Sequence, residues 1–343
     1  SAEYSESKVG NSLPAYHQMG EVSMKHLVCL IAVLVLLSPL TGCQTEQTSQ
    51  AVTMAMGFVP NVQFTPVYVA LERGYFAEQG LDIELDYGTE TDLLQRLAAG
   101  DVQFAIASGD QVALARAAGL RVRMVANWYR RFPVCVVSLA ESGISSPNDL
   151  IGKIVGIPVL EGASYIGWQA FMREVGLTPE QVNLQPIGYT QVASLTEKRV
   201  DAAVSYAMNE PVQLVQSGYE TNVFYLDTFT HLVSNGLIAA DSLIDADPEL
   251  VRRVAGALIR GIEDTLADPD AAFEITRKQI PEMDDTTAVL QRAVLDECLH
   301  FWRADRLGYN EPEDWEESVR ILAELGLLSA EISPEDLYTN DML

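Results

Sequence analysis

The sequence points to an α/β chain built as two lobes. Strand-like and helix-like stretches alternate from Val52 to Phe229. The alternation pauses at "ESGISSPNDLIGK", Glu141 to Lys153, and then restarts. The stretch "VQFAIAS", Val102 to Ser108, also lines up with "VDAAVSY", Val200 to Tyr206. Alternating strands and helices specify a parallel or mixed sheet with helices on its faces. The 343 residues suit about two domains of about 150 residues. A hydrophobic content of 48% with 20% charged residues is enough to build a packed core.

The elements follow in order. "VTMAMGFV" reads as a strand, and Thr65 is placed to cap the next helix. Pro66 suits that helix's first turn and Gly74 its end. "LDIELDYG" alternates apolar and polar residues as a half-buried strand does. "ETDLLQRLAAG" has leucines at helical spacing, and "VQFAIASG" is a buried strand before the helix "DQVALARAAG". "VRMVANWY" and "PVCVVSLA" are further strands. After the pause come strand "IVGIPV", helix "SYIGWQAFMREVG", strand "NLQPIG", helix "QVASLTEKR", strand "DAAVSY", helix "NEPVQLVQSG" and strand "NVFYLDTF". From Asp247 onward the pattern is mostly helical.

"MKHLVCLIAVLVLLSPLTGCQTEQTSQ", Met24 to Gln50, has a short basic head and an apolar run from Leu27 to Leu40. The run is short for a membrane span, which needs about 20 residues, and fits a secretory signal. It ends in "LTGC", Leu40 to Cys43, which resembles a bacterial lipobox, so Cys43 is the expected lipid attachment site. Residues 1–43 are therefore read as upstream segment and signal, and residues 44–51 as a tether. Met24 is a plausible start. Cys135 and Cys298 are left in the mature part, and the sequence leaves their pairing open.

The formal net charge of −26 repels phosphate backbones, which excludes nucleic acid as a natural partner. Its ordinary meaning is a solvated surface. Catalytic signatures are missing. Of the four His, only His231 and His300 follow the signal, far apart in sequence. There is no HExxH, CxxC, Walker loop or GxGxxG. The expectation is a monomeric protein without catalytic residues, metal or cofactor.

In open α/β sheets, ligands sit beyond the carboxyl ends of strands, where helices begin. That rule selects Asn61, Phe64 and Tyr68 after the first strand, Thr89 after the second, Ser108 and Asp110 after the third, and Trp128 and Tyr129 after the fourth. Past the pause it selects Glu161, Ser164, Tyr165, Tyr189, Tyr206, Asn209 and Glu210. Aromatic faces stack on flat rings while amides and hydroxyls orient polar edges, so a planar heteroaromatic ligand suits this set, with a sugar stacked between aromatics as the alternative. Arg130 and Arg131 in "WYRR" could meet an anionic group; their commoner role is solvated charge. Trp168, Phe171, Trp302 and Trp315 read as packing.

"PN" followed by "F.P.YVA...GYF...GLDIEL", with "LAAGDVQFAIASGDQ", "ISSPNDLIGKIVGIP" and "NEP" after "DAAVSY", resembles the SsuA/THI5-like (NMT1-like) family of solute-binding proteins. The resemblance implies a type II periplasmic-binding-protein fold of two α/β lobes closing on a ligand. It implies lobe 1 from residues 52–140 and 235–343, and lobe 2 from 141–234, with crossings near Ala140 and near Ser234 to Gly236. It also implies an ABC permease and its ATPase as partners, with the receptor held on the outer face of the cell membrane by its lipid. The opening run looks most like the vitamin-binding branches, riboflavin first and thiamine pyrimidine precursors second. An alkanesulfonate receptor or a pyrimidine-synthase-like enzyme is a weaker reading, since the family's synthases carry a cysteine-rich motif missing here.

Overall fold

The computed structural model describes residues 49–343. The signal, Cys43 and most of the tether lie outside the described residues.

Two mixed five-stranded sheets form the frame. The first begins with β1, Gln50–Met56. A 3-10 turn, Val62–Phe64, leads into α1, Thr65–Glu72, with Pro66 in its first turn. Thr65 is not the cap that the sequence suggested. Asn61 caps the 3-10 turn instead, accepting from the Gln63 N–H at 2.8 Å. The turn and helix are continuous, so Thr65 is already helical, and its hydroxyl donates back to the Val62 carbonyl at 2.7 Å. Then follow α2, Tyr75–Glu78; β2, Leu81–Tyr87; α3, Glu90–Ala99; β3, Phe104–Ser108; α4, Gly109–Ala117; and β4, Val122–Asn127.

The second sheet takes β5, Val134–Leu139; β6, Ile154–Ile157; α5, Gly162–Glu174; β7, Asn183–Pro186; α6, Gln191–Thr196; β8, Ala202–Tyr206; α7, Glu210–Gln216; and β9, Thr221–Tyr225. The chain then returns to the first sheet with β10, Asn235–Ala240. The remainder is helical: α8, Asp241–Ala246; α9, Pro248–Ala267; α10, Pro269–Gln279; α11, Asp285–Trp302; and α12, Pro312–Glu324.

The strand orders match: β2-β1-β3-β10-β4 and β7-β6-β8-β5-β9. In each sheet the strand in fourth place runs antiparallel to both neighbours, β10 in one and β5 in the other. The two echoing stretches end as β3 and β8, which both hold third place. The likeness between them is therefore topological.

Two features depart from the sequence reading. β5 pairs with β8 and β9, so the first change of sheet lies between Asn127 and Val134, ahead of Ala140. The strong loop signal after β5 is a turn within the second lobe. β10 is the second, inserted between β3 and β4 where only a crossing was expected. Gly236, its second residue, permits the close insertion: a Cβ there would lie 2.5 Å from the Ala126 carbonyl oxygen.

The C-terminal helices return to the first lobe, with α9 and α10 against α1. Gly261 permits this approach, since a Cβ there would fall 2.2 Å from the Pro66 carbonyl oxygen. The outer edge of β4 is covered by the C-terminal segment, where Met124 N–H donates to Leu337 O at 2.8 Å and Thr339 N–H to Met124 O at 2.9 Å. Covering an edge in this way removes a template for unwanted strand pairing. Helix α11 touches both lobes, packing on the 3-10 turn and on α7. Cys135 and Cys298 are buried free thiols in one apolar cluster.

Candidate functional site

A cavity of about 1580 Å³ opens between the two sheets. Its walls are the strand-to-helix turns of both lobes, as expected for the carboxyl ends of parallel strands. The turn after β1 supplies Gly57, Phe58, Asn61, Gln63 and Phe64, and the turn after β2 supplies Tyr87, Thr89 and Glu90. The facing lobe supplies Glu161 and Ser164 at the start of α5, Tyr189 and Gln191 at α6, and Tyr206, Asn209 and Glu210 at α7.

Nine residues selected from the sequence line this space: Asn61, Phe64, Thr89, Glu161, Ser164, Tyr189, Tyr206, Asn209 and Glu210. The other six lie behind the wall. Tyr68 is only 1% exposed, and its hydroxyl sits 3.0 Å from that of Tyr87. Phe64 and Tyr68 are one helical turn apart on the same face, so the first reaches the cavity and the second packs beneath it. Trp128 and Tyr129 pack on Trp302, with ring centroids 5.8 Å apart in each case. Ser108 and Asp110 are buried. Tyr165 is half-buried, and its hydroxyl accepts from Gln169 at 2.6 Å.

Sequence reasoning passed over Glu90. Its Oε2 accepts from the Ser108 hydroxyl at 2.7 Å and the Ser108 N–H at 3.3 Å, and its Oε1 from Asn235 Nδ2 at 3.2 Å. Gly57 leaves room for this arrangement, because a Cβ there would come within 2.7 Å of Glu90 Cγ. Burial lifts the Glu90 carboxyl to about 7, and the charge of Asp110 adds to it; the bonds from Ser108 and Asn235 pull the other way. Burial also raises Asp110, whose Oδ1 has no partner among the described residues. Across the cleft, burial lifts Glu210 to about 7, against the opposing effect of backbone N–H groups that include that of Tyr206. The Tyr206 phenol is pushed well up, by burial first and then by the charges of Glu90 and Asp110 on the other lobe. No signal short of the fold would have chosen Glu90 from the 48 acidic residues.

The wall contains no Lys, Arg or His among the described residues. Arg130 pairs with Asp314 and Arg131 with Asp227, and the Arg131 guanidinium lies 4.9 Å from the Phe301 ring centre. Both arginines are thus committed outside the cavity. The described residues hold no group of three His, Cys, Asp or Glu side chains placed to bind a metal.

Residues 61–272 match the family described as NMT1/THI5 like. The chain belongs to that family. It is 40% identical over 306 residues to the riboflavin-binding protein RibY of Chloroflexus aurantiacus, covering 87% of each chain. It is 30% identical to the formylaminopyrimidine-binding protein of Halalkalibacterium halodurans, covering 93% of this chain and 98% of that one. Among solved structures it is similar to the periplasmic aliphatic sulphonate binding protein SsuA from Escherichia coli, with a TM-score of 0.70 and 14% identity over 83% of this chain and 96% of the other. The fold is that of the periplasmic binding proteins, two mixed α/β lobes around a cleft.

Proposed function

We propose that this chain is the extracytoplasmic receptor of an ABC importer and that its solute is riboflavin. The wall of the cleft carries the reading. Phe58, Phe64, Tyr87, Tyr189 and Tyr206 offer aromatic faces, while Asn61, Gln63, Gln191 and Asn209 offer amides. Such a set stacks and orients a flat ring bearing polar edges. The cavity exceeds the roughly 300–1,000 Å³ of common ligand pockets, leaving room for three fused rings with a polyol chain. The 40% relative with that ligand in its name supports the choice.

The mechanism is hinge closure. The ligand bridges the lobes, contacts made by both lobes stabilise the closed arrangement, and the permease reads that arrangement. Cys43, outside the described residues, would hold the receptor to the membrane by its lipid. No described helix is long and apolar enough to cross a membrane.

The test is a fluorescence titration of residues 44–343 with riboflavin. Stacking on a tyrosine quenches flavin emission, and saturable quenching at micromolar protein is expected. Absence of quenching, together with absence of heat by calorimetry, overturns the flavin assignment. The second reading, a formylated aminopyrimidine, is favoured by the 30% relative and would appear as heat with that compound alone. Turnover of either compound by the purified protein would make it an enzyme.

A further inference from the structure

We infer that the cleft is an anion filter that admits riboflavin and rejects its 5′-phosphate. The inference rests on the flavin reading and adds which form is taken. Helix starts facing a cleft are ordinarily good anion sites, because their free N–H groups and dipoles favour negative charge. Here three helix starts that open on the cavity each carry a glutamate of their own. Glu90 is the first residue of α3, Glu161 precedes α5, and Glu210 is the first residue of α7. All three line the cavity.

Glu90 takes the Ser108 N–H and Glu210 the Tyr206 N–H, so carboxylates already occupy two N–H groups beside the cleft, and Glu161 adds a third acidic side chain at its rim; the start of α6 carries Gln191 instead. Among the described residues no cationic side chain lines the wall, and Arg130 and Arg131 are paired elsewhere. Glu90 already takes hydrogen bonds on both oxygens, so it is held in place rather than free to swing aside. A phosphate ester near pH 7 brings a charge of about −1.5 to −2. Placed between carboxylates on two lobes, it opposes closure by like-charge repulsion in a partly desolvated space. A hydroxyl at the same position brings donors, which unpaired carboxylate oxygens accept. The filter thus turns on the ester and leaves the ring system unselected.

The experiment compares riboflavin with riboflavin 5′-phosphate on the same wild-type protein at pH 8 in low salt. The phosphate is expected to bind on the order of 100-fold more weakly. Glu161→Gln with Glu210→Gln should narrow that ratio at least tenfold, chiefly by strengthening the phosphate; a ratio that stays at the wild-type value overturns the filter. Equal affinity for the two flavins in the wild type overturns the filter and leaves the receptor reading standing. If neither flavin binds, the flavin reading falls and the filter built on it falls with it. The wild-type comparison does not depend on how any variant folds, and thermal melts of the variants show whether their ratio is interpretable.

Discussion

Gln63 on the first lobe donates its side-chain amide to Asn209 on the second, Nε2 to Oδ1 at 3.1 Å. Both residues line the cavity, one in the turn before α1 and the other at the start of α7. The bond spans the cleft, so opening the lobes would break it.

Gln63→Ala is therefore expected to weaken ligand binding more than folding. A hydrogen bond of this kind contributes about 0.5–1.5 kcal/mol, and 1.4 kcal/mol is tenfold in affinity. A loss of two- to tenfold in a titration, with the melting temperature within about 2 °C, is the expected result. A lowered melting temperature at unchanged affinity would assign the pair to folding.

Two tyrosines separate binding from packing. Tyr189 is 73% exposed on the cavity rim, and Tyr68 is 1% exposed beneath the wall. Tyr189→Ala should weaken binding by up to about tenfold, the scale of one aromatic contact, at little cost to stability. Tyr68→Ala should cost about 3–5 kcal/mol of stability, the usual range for emptying an aromatic core site. Denaturant titrations read the second and ligand titrations the first. If Tyr68→Phe, which removes the hydroxyl and its bond to Tyr87 but keeps the ring, abolishes binding, Tyr68 belongs to the site after all.

These positions also mark where the sequence was readable. Period and turn signals located the βα units, because each unit buries its own apolar face locally. The rule that ligands sit at strand ends selected turns that line the cavity, for the same reason. It could not say how deep each side chain lies within a turn, so Phe64 and Tyr68 looked alike. Nor could it assign β5 to a sheet, because a strand's partners are chosen by contacts far along the chain. β5 pairs with β8 through Val134 and Tyr206 and with β9 through Leu139 and Thr221. β10 was hidden likewise: its antiparallel insertion follows a long crossing, and it contributes Asn235 to the cavity wall.

Asp241 is a structural hub. It pairs with Arg116 at 2.7 Å, Arg123 at 2.8 Å and Arg121 at 2.9 Å. The Arg116 and Asp241 side chains are each only 7% exposed. Among the described residues, Asp241→Ala leaves buried Arg116 with only the more distant Asp336, at 3.6 Å, as a counter-charge, and a loss of about 3–5 kcal/mol is expected. Burial alone would raise the Asp241 carboxyl, but bonds and charges from Arg123 and Arg116 outweigh it and hold it below its ordinary 3.8. The stability it contributes is thus present above that value and lost as pH falls through the lowered one. Urea titrations of wild type and variant should differ at pH 7 and converge in acid. A difference that stays constant with pH would show that lost packing, not charge, sets the cost.

Glu210 behaves in the opposite sense. Its folded value near 7 lies above the ordinary 4.5, so the folded protein holds the proton more tightly than the unfolded chain. Where the folded state binds more protons, stability falls as pH rises. The fall begins near pH 4.5, continues to about pH 7 and then levels off, and Glu90 acts in the same direction over the same window. Glu210→Gln keeps a carbonyl oxygen to accept the Tyr206 N–H, now 3.2 Å from Oε2, and removes the ionisation. Its melting temperature should match wild type near pH 4.5 and exceed it at pH 8. A difference of a few degrees is expected, because this half-buried group is partly screened and about 1 kcal/mol moves a chain of this size by about 2–4 °C. Parallel melting curves across that window would show that Glu210 ionises without cost, and the carboxylate would then be paired with solvent rather than held in the wall of the cleft.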